Sequence, residues 1–230
     1  MTGRRLLGVG LLSIGWLSEA QGQSATVPPA SPTQVAGSRW ALSVDLVPVP
    51  ASGYHFSAER RLGQSSRQTV VFTPQFYRGP VSTLTSDLAQ AATDQVRGFG
   101  LGAQHRIYLG RQPTPLAGSY LAYGLSYQHF GMRFQGISWQ AELAADGLYY
   151  YQSRLRDQTE TINRYGASVV VGHQATLPDT PLFLDFFLGV GLRHATSRTT
   201  LPSPRFATRP ADYGSAGLYL PVGFRLGLRL

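Results

Sequence analysis

Two of the five histidines and one serine are the residues whose types and spacing could carry covalent chemistry. His173 and His194 fall on adjacent predicted strands, and Ser197 follows three residues after His194. A serine that lies beside a histidine and an acid can attack an ester. The chain has no Gly-x-Ser-x-Gly turn to present such a serine. We therefore predict no catalytic residue, with a lipid hydrolase or acyltransferase as the alternative.

No sequence pattern of a metal site or a cofactor site is present in the chain. The chain contains no cysteine, no His-Glu-x-x-His sequence and no EF-hand loop. Gly98, Gly100 and Gly102 resemble the start of a dinucleotide fingerprint. They occupy alternate positions of a predicted strand, however, and no helix follows to bind a phosphate. We predict no metal and no cofactor.

The last segment of the chain alternates between two kinds of residue. From Ala216 to Leu230 every second residue is apolar, and the residues between them are glycine, tyrosine, proline or arginine. A period of two predicts a β-strand. A wholly apolar face opposite arginines suits a wall with lipid outside and a polar lumen inside.

The same alternation in the other segments predicts a set of charged side chains that face inward. A charge enclosed in a narrow lumen must be paired or hydrated, so we expect these residues to form a network with a structural role. Inward glycines leave room for the long arginine side chains. The predicted interior network consists of Asp45, Glu59, Arg61, Arg106, Asp185, Arg193, Arg225 and Arg229.

Eight segments have strand character, with Gly, Pro, Asp and Ser between them. After the first connection, short and long connections alternate, as in an up-and-down barrel that crosses a membrane. The fold predicted is therefore all-β: an antiparallel up-and-down transmembrane β-barrel of eight strands. The predicted strands are 40–49, 53–62, 68–78, 96–109, 119–134, 163–176, 181–194 and 212–230.

Three local predictions accompany this fold. If Ser138 to Ala144 and Leu148 to Leu155 form a further hairpin, the barrel has ten strands; otherwise the region 135–162 is a long loop or an extended hairpin above the membrane. Ser86 to Gln95 can form a short helix in a loop. Aromatic residues near strand ends are expected to form girdles at the two interfaces: Trp40, Tyr77, Tyr108, Tyr120, Phe130, Phe134, Tyr165 and Phe183.

The N-terminus has the layout of a secretory signal peptide. Arg4 and Arg5 precede an apolar run from Leu6 to Leu17, and Ala20-Gln21-Gly22 offers small residues at a cleavage site. The run is too short to be a transmembrane helix. We predict a signal peptide at 1–22, a flexible periplasmic leader at 23–37 and a barrel at 38–230.

The net charge of the chain is +8, and all 20 of its basic residues are arginine, since the chain has no lysine. The arginines are spread through strands and loops and form no basic helix or run, so we predict no nucleic-acid partner. Arginines inside a barrel or near anionic headgroups account for the charge.

The chain resembles the small bacterial outer-membrane β-barrel proteins of the eight-stranded OmpA/OmpX-like type. The resemblance implies location and fold only, because one fold serves many functions. The residues that carry it are the signal peptide, Ser57 to Leu62, Arg164 to Gly166, Val171 to Gln174, Asp185 to Arg193 and Pro221 to Leu230.

From this resemblance and the patterns together we expect a monomer in the bacterial outer membrane. Its partners would be outer-membrane lipid and, during biogenesis, the barrel insertion machinery. The interior would be plugged by side chains, and the role structural or one of surface interaction through loops 79–95, 135–162 and 195–211. A narrow pore for small solutes and a lipid-modifying enzyme are the alternatives. A secreted lipocalin-like binder would need polar residues where Leu226, Leu228 and Leu230 stand.

Overall fold

The computed structural model describes residues 38–63, 67–90, 92–109 and 116–230. All regular structure in them is antiparallel β-strand, apart from one 3₁₀ turn at Val49–Ala51. The strands are β1 (Trp40–Asp45), β2 (Gly53–Arg61), β3 (Gln68–Pro80), β4 (Gln95–Tyr108), β5 (Gly118–Leu143), β6 (Tyr149–Thr176), β7 (Leu182–Thr199), β8 (Gly217–Tyr219) and β9 (Val222–Arg229).

The nine strands form one sheet that closes into a ring. Each strand from β1 to β7 pairs with the next along the chain, and β9 pairs with both β7 and β1. β8 and β9 continue a single register along β7, since Gly191 pairs with Tyr219 and Leu188 pairs with Val222. The ring therefore has eight positions, and the prediction of an all-β antiparallel fold is confirmed.

Proline accounts for the break between β8 and β9. The alternation from Ala216 onward predicts one unbroken strand, but Pro221 has no N–H to donate to a ladder. Its carbonyl still accepts a hydrogen bond from the Gly189 N–H at 2.9 Å. The two pieces consequently stay in line with β7, and the eighth position of the ring is filled.

The two faces of the ring have opposite character, because successive side chains of a strand point to opposite sides. Large apolar residues such as Leu125, Leu188 and Val222 are exposed on the outer face, whereas the inner face is buried and largely polar. The aromatic girdle prediction is wrong for six of its members, which lie buried inside the ring: Tyr77, Tyr108, Tyr120, Phe130, Phe134 and Phe183. Trp40 and Tyr165 are exposed.

The region 135–162, predicted as a further hairpin, a long loop or an extended hairpin, continues β5 and β6 apart from the turn at 144–148. Their pairing runs in one register from Gly118 with Gln174 to Leu143 with Tyr149. The partner β4 ends opposite Arg133, so residues 134–143 of β5 extend beyond it. At about 3.3 Å per residue this hairpin projects roughly 33 Å past that point. Ser138 to Ala144 and Leu148 to Leu155 thus add length to two strands and add no strands to the ring.

Two smaller predictions also differ from the structure. The first strand ends at Asp45 and not at 49, because Pro48 leads into the 3₁₀ turn. The predicted helix at Ser86 to Gln95 is not formed in the described part of that segment, which makes only single turns such as Asp94 N–H to Gln90 C=O at 2.8 Å. The predicted signal peptide and leader, 1–22 and 23–37, lie outside the described residues. Within those residues, no helix is both long and apolar enough to cross a membrane.

Apolar side chains close the interior of the ring at both ends. At one end, where β2, β4 and β6 end, Ala41, Leu116 and Phe183 form a buried contact that we call the lower cap. At the opposite end, side chains from the described residues between β3 and β4 and between β7 and β8 pack onto residues of the ring to form the upper cap. The upper cap comprises Tyr77, Val81, Val96, Phe130, Met132, Phe134, Ile162, Phe206 and Tyr213.

Candidate functional site

A buried arginine with two carboxylates occupies the interior above the lower cap. The Arg106 side chain of β4 donates from its two terminal nitrogens to Glu59 Oε2 and to Asp185 Oδ2, each at 3.0 Å. Arg106 and Asp185 are each 1% exposed. Two charge-assisted bonds from one guanidinium join β2, β4 and β7 across the ring.

Hydroxyl groups complete the coordination of both carboxylates. Thr69 Oγ1 donates to Glu59 at 2.5 Å, and the Tyr108 hydroxyl lies 2.8 Å from the same oxygen. Tyr120 donates to Asp185 Oδ1 at 2.6 Å, and its ring lies 4.3 Å from the Arg106 guanidinium carbon. A buried ion pair is stable only when its remaining lone pairs are satisfied, which these hydroxyl groups achieve.

A second arginine extends the cluster toward the middle of the interior. Arg225 of β9 lies 3.5 Å from Asp185 and 3.8 Å from Asp45, and both distances exceed a good hydrogen bond. Its guanidinium carbon lies 4.4 Å from the Phe187 ring. We call these five residues the Arg106 cluster: Arg106, Glu59, Asp185, Arg225 and Asp45.

The structure brings these five members of the predicted network together and leaves the other three outside. Arg193 lies nearer the upper cap, where it donates to the Pro210 carbonyl and lies over the Tyr219 ring. Arg61 and Arg229 are partly buried near the short-loop end of β2 and β9. The alternation identifies which residues face inward, but the level of each along the ring depends on the strand register.

A polar chamber of about 180 Å³ lies between the Arg106 cluster and the upper cap. Glycine and serine positions of β4, β5 and β6 leave this space, among them Gly102, Gly124 and Ser126. Its charged lining consists of Asp45, Arg164, Arg193 and Arg225. The chamber is therefore richer in cations than in anions.

Arg164 is an important interior residue that the predicted interior network did not include. Its side chain donates to Gln128 Oε1 at 2.7 Å and to the carbonyls of Asp212 and Tyr213 at 3.3 Å. The signal was present in the sequence, because Arg164 is in phase with Gly166 and Ser168, which also line the chamber. Its predicted strand began at 163, so the phase of its first residues was poorly defined.

The residues considered for catalysis are not brought together. Tyr165 pairs with His194 and His173 pairs with Phe186, so the two histidines lie eight residues apart along the sheet. That separation is about 26 Å. His173 is instead paired with Ser119, at 3.0 Å from Nδ1 to Oγ, while Ser197 donates to Glu160. Within the described residues there is also no group of three potential metal ligands.

We expect the Arg106→Met variant to lose about 3–5 kcal/mol of unfolding free energy, because it leaves Glu59 and Asp185 buried without their cation. The matched control is Arg154→Met, whose ion pair with Glu142 lies on the surface and is screened by solvent, so we expect little change. Urea titration of the folded protein in detergent micelles measures both. Equal midpoints for Arg106→Met and the parent chain would contradict a structural role for the cluster.

Comparison with known proteins offers no relative whose role could be carried over to this site. No protein-family model, curated protein or solved structure matches the chain. The functional assignment therefore depends on the chemistry of the ring itself: an enclosed polar interior, two apolar caps and an exposed apolar outer face.

Proposed function

We propose that the protein is an integral outer-membrane β-barrel with a side-chain-plugged interior, which inserts as a monomer and presents its long hairpin for surface interaction. The observation that carries the proposal is the outer face of the ring. Each of the eight strand positions of the ring exposes apolar side chains on this face. In water they would form a patch far larger than soluble monomers carry. Examples, one from each strand from β1 to β7 and from β9, are Leu42, Phe56, Phe72, Leu101, Leu125, Val169, Leu188 and Leu226.

Closure of the ring supports this proposal because a sheet in lipid must satisfy every backbone group. β1 and β9 pair with each other, so the first and last strands leave no open edge between them. An eight-position ring also has an interior just wide enough for side chains to fill. The two caps and the Arg106 cluster block passage along this one and leave only the chamber between them, which favours a plugged barrel over the alternative of a narrow pore.

The projecting part of the β5–β6 hairpin supports a role in surface interaction. Its outer face carries exposed apolar and aromatic side chains, with Trp139 68% and Tyr151 75% exposed. Its other face carries Glu142, which accepts a hydrogen bond from Arg156 and lies 3.4 Å from a terminal nitrogen of Arg154. The hydrogen bond from Arg156 holds the pKa of Glu142 below its ordinary value.

The apolar face of the hairpin is separated from the apolar outer face of the ring. Polar residues intervene on the same side of β5 and β6, among them Arg133, Gln135 and Asp157. A second apolar surface beyond a polar belt is expected of an element that contacts another macromolecule outside the membrane. Aromatic side chains are the residues that such contacts favour.

Substitution on the outer face tests the membrane assignment. In a bilayer we expect Leu125→Arg to cost about 2–4 kcal/mol of unfolding free energy, because Leu125 lies near the middle of the part of β5 that pairs with β4. An exposed leucine of a water-soluble ring would tolerate arginine with little change. Urea titration in lipid vesicles gives the free energy, with Gln140→Arg on the projecting hairpin as the control. Equal stability of the two variants would contradict membrane insertion.

Substitution on the hairpin tests the interaction role separately. We expect Trp139→Ser with Tyr151→Ser to reduce adherence of producing cells, to one another or to an apolar surface, by several-fold. The matched control is Gln140→Ser with Gln152→Ser, a cross-strand pair on the opposite face of the same hairpin. Cell-surface amounts of the protein must be equal in the three strains. Unchanged adherence of the aromatic variant would contradict the role of the hairpin while leaving the barrel proposal intact.

A further inference from the structure

Two arginines at the upper end of the chamber have no acidic partner. Arg164 contacts Gln128 and two backbone carbonyls, and Arg193 contacts the Pro210 carbonyl and the Tyr219 ring. Among the described residues, neither has a carboxylate oxygen within 4 Å. The nearby Asp212 directs one carboxylate oxygen to the N–H groups and hydroxyl of Thr208 and Arg209 in its own loop.

Arg225 at the lower end of the chamber has unused hydrogen-bond donors. Its side chain is 4% exposed, and both Nε and one terminal nitrogen lack a hydrogen-bond acceptor. The Nε of Arg193 is likewise buried without an acceptor, a feature that other arginines such as Arg106 and Arg229 share. Among the described residues, Arg225 is the arginine that also leaves a buried terminal nitrogen without an acceptor, and such a donor calls for a partner.

The charge that lines the chamber is unbalanced. Three guanidinium groups, those of Arg164, Arg193 and Arg225, line it together with the single carboxylate of Asp45. Glu59 and Asp185 are bonded to Arg106, and Asp212 lies outside the lining. The upper half of the chamber is consequently cationic, and burying an uncompensated charge is costly.

We propose that the chamber is a binding site for one small inorganic oxyanion of the phosphate or sulfate class. A guanidinium presents planar N–H donors that match the oxygens of such an ion. The hydroxyl groups of Ser126 and Ser168 and the amides of Gln75 and Gln104 supply neutral donors around it. The volume of about 180 Å³ accommodates a small ion with a few waters, and the two caps favour a free ion over a lipid headgroup.

Ser126 is the position from which a protein carboxylate could take the place of this ion. A Cβ atom added at Gly166 would lie 2.7 Å from Ser126 Oγ, so the Ser126 side chain extends across that glycine. Gly166 pairs with Arg193 on the next strand, and Arg164 precedes Gly166 by two residues in β6. An aspartate at 126 would thus introduce an anion into the chamber that Arg164 and Arg193 line.

The test compares the parent chain with Ser126→Asp and its neutral isostere Ser126→Asn. Each is folded in detergent micelles, and its melting temperature is measured while inorganic phosphate is titrated in at low chloride. Phosphate should raise the melting temperature of the parent chain and of Ser126→Asn by a few degrees, because a ligand that binds only the folded state stabilises it. Ser126→Asp should not respond, and without phosphate it should melt above Ser126→Asn.

Three results would overturn the proposal. One is a response to phosphate of equal size in all three proteins, which would be a general salt effect. Another is no response in any of them. The third is a Ser126→Asp protein that melts below Ser126→Asn or fails to fold, because a carboxylate in a chamber lined by three guanidinium groups and one carboxylate should be stabilising.

Discussion

The narrowness of an eight-position ring is the constraint on which the rest of this structure depends. Such a ring encloses a space just wide enough for side chains, so every charge on its inner face lies near another inner residue. Arg106 is stable there only because Glu59 and Asp185 lie 3.0 Å from its two terminal nitrogens. The constraint also explains the small inward residues. A Cβ atom added at Gly189 would lie 2.1 Å from the Val169 carbonyl oxygen, so a larger residue would displace the neighbouring strand.

The same strands connect this interior to the proposed membrane environment and the proposed contact surface. Side chains alternate between the two faces of a strand. The strand β4, which directs Arg106 inward, therefore directs every second residue outward, and these residues are predominantly apolar. In β5 and β6 the alternation continues past the end of β4, where the outer face becomes polar and then aromatic at Trp139 and Tyr151. One periodic pattern can thus serve a plugged interior, a lipid-facing wall and an exposed hairpin.

The sequence predicts the part of this structure that depends on periodicity. The strand segments and the inward phase of Arg106, Glu59 and Asp185 follow from a period of two, and the antiparallel order follows from the short and long connections. The levels at which those residues meet depend on register, which pairing between distant strands determines. The girdle prediction is wrong for Phe130 and Phe183 because both fall near the ends of the predicted strands 119–134 and 181–194, as girdle residues do. The caps that enclose these aromatic residues include the loop residues Phe206 and Leu116, and no short-range sequence pattern predicts such contacts.

The central claim is that the apolar outer face of a closed ring lies in lipid. Its most direct test is the electrophoretic mobility of the protein from fractionated membranes, with and without boiling. The account predicts that the protein is recovered with the outer membrane and that the unboiled form migrates as a compact species, distinct from the boiled one. Recovery as a soluble protein, with one mobility in both samples, would contradict the claim and would require the apolar face to be covered by something other than lipid.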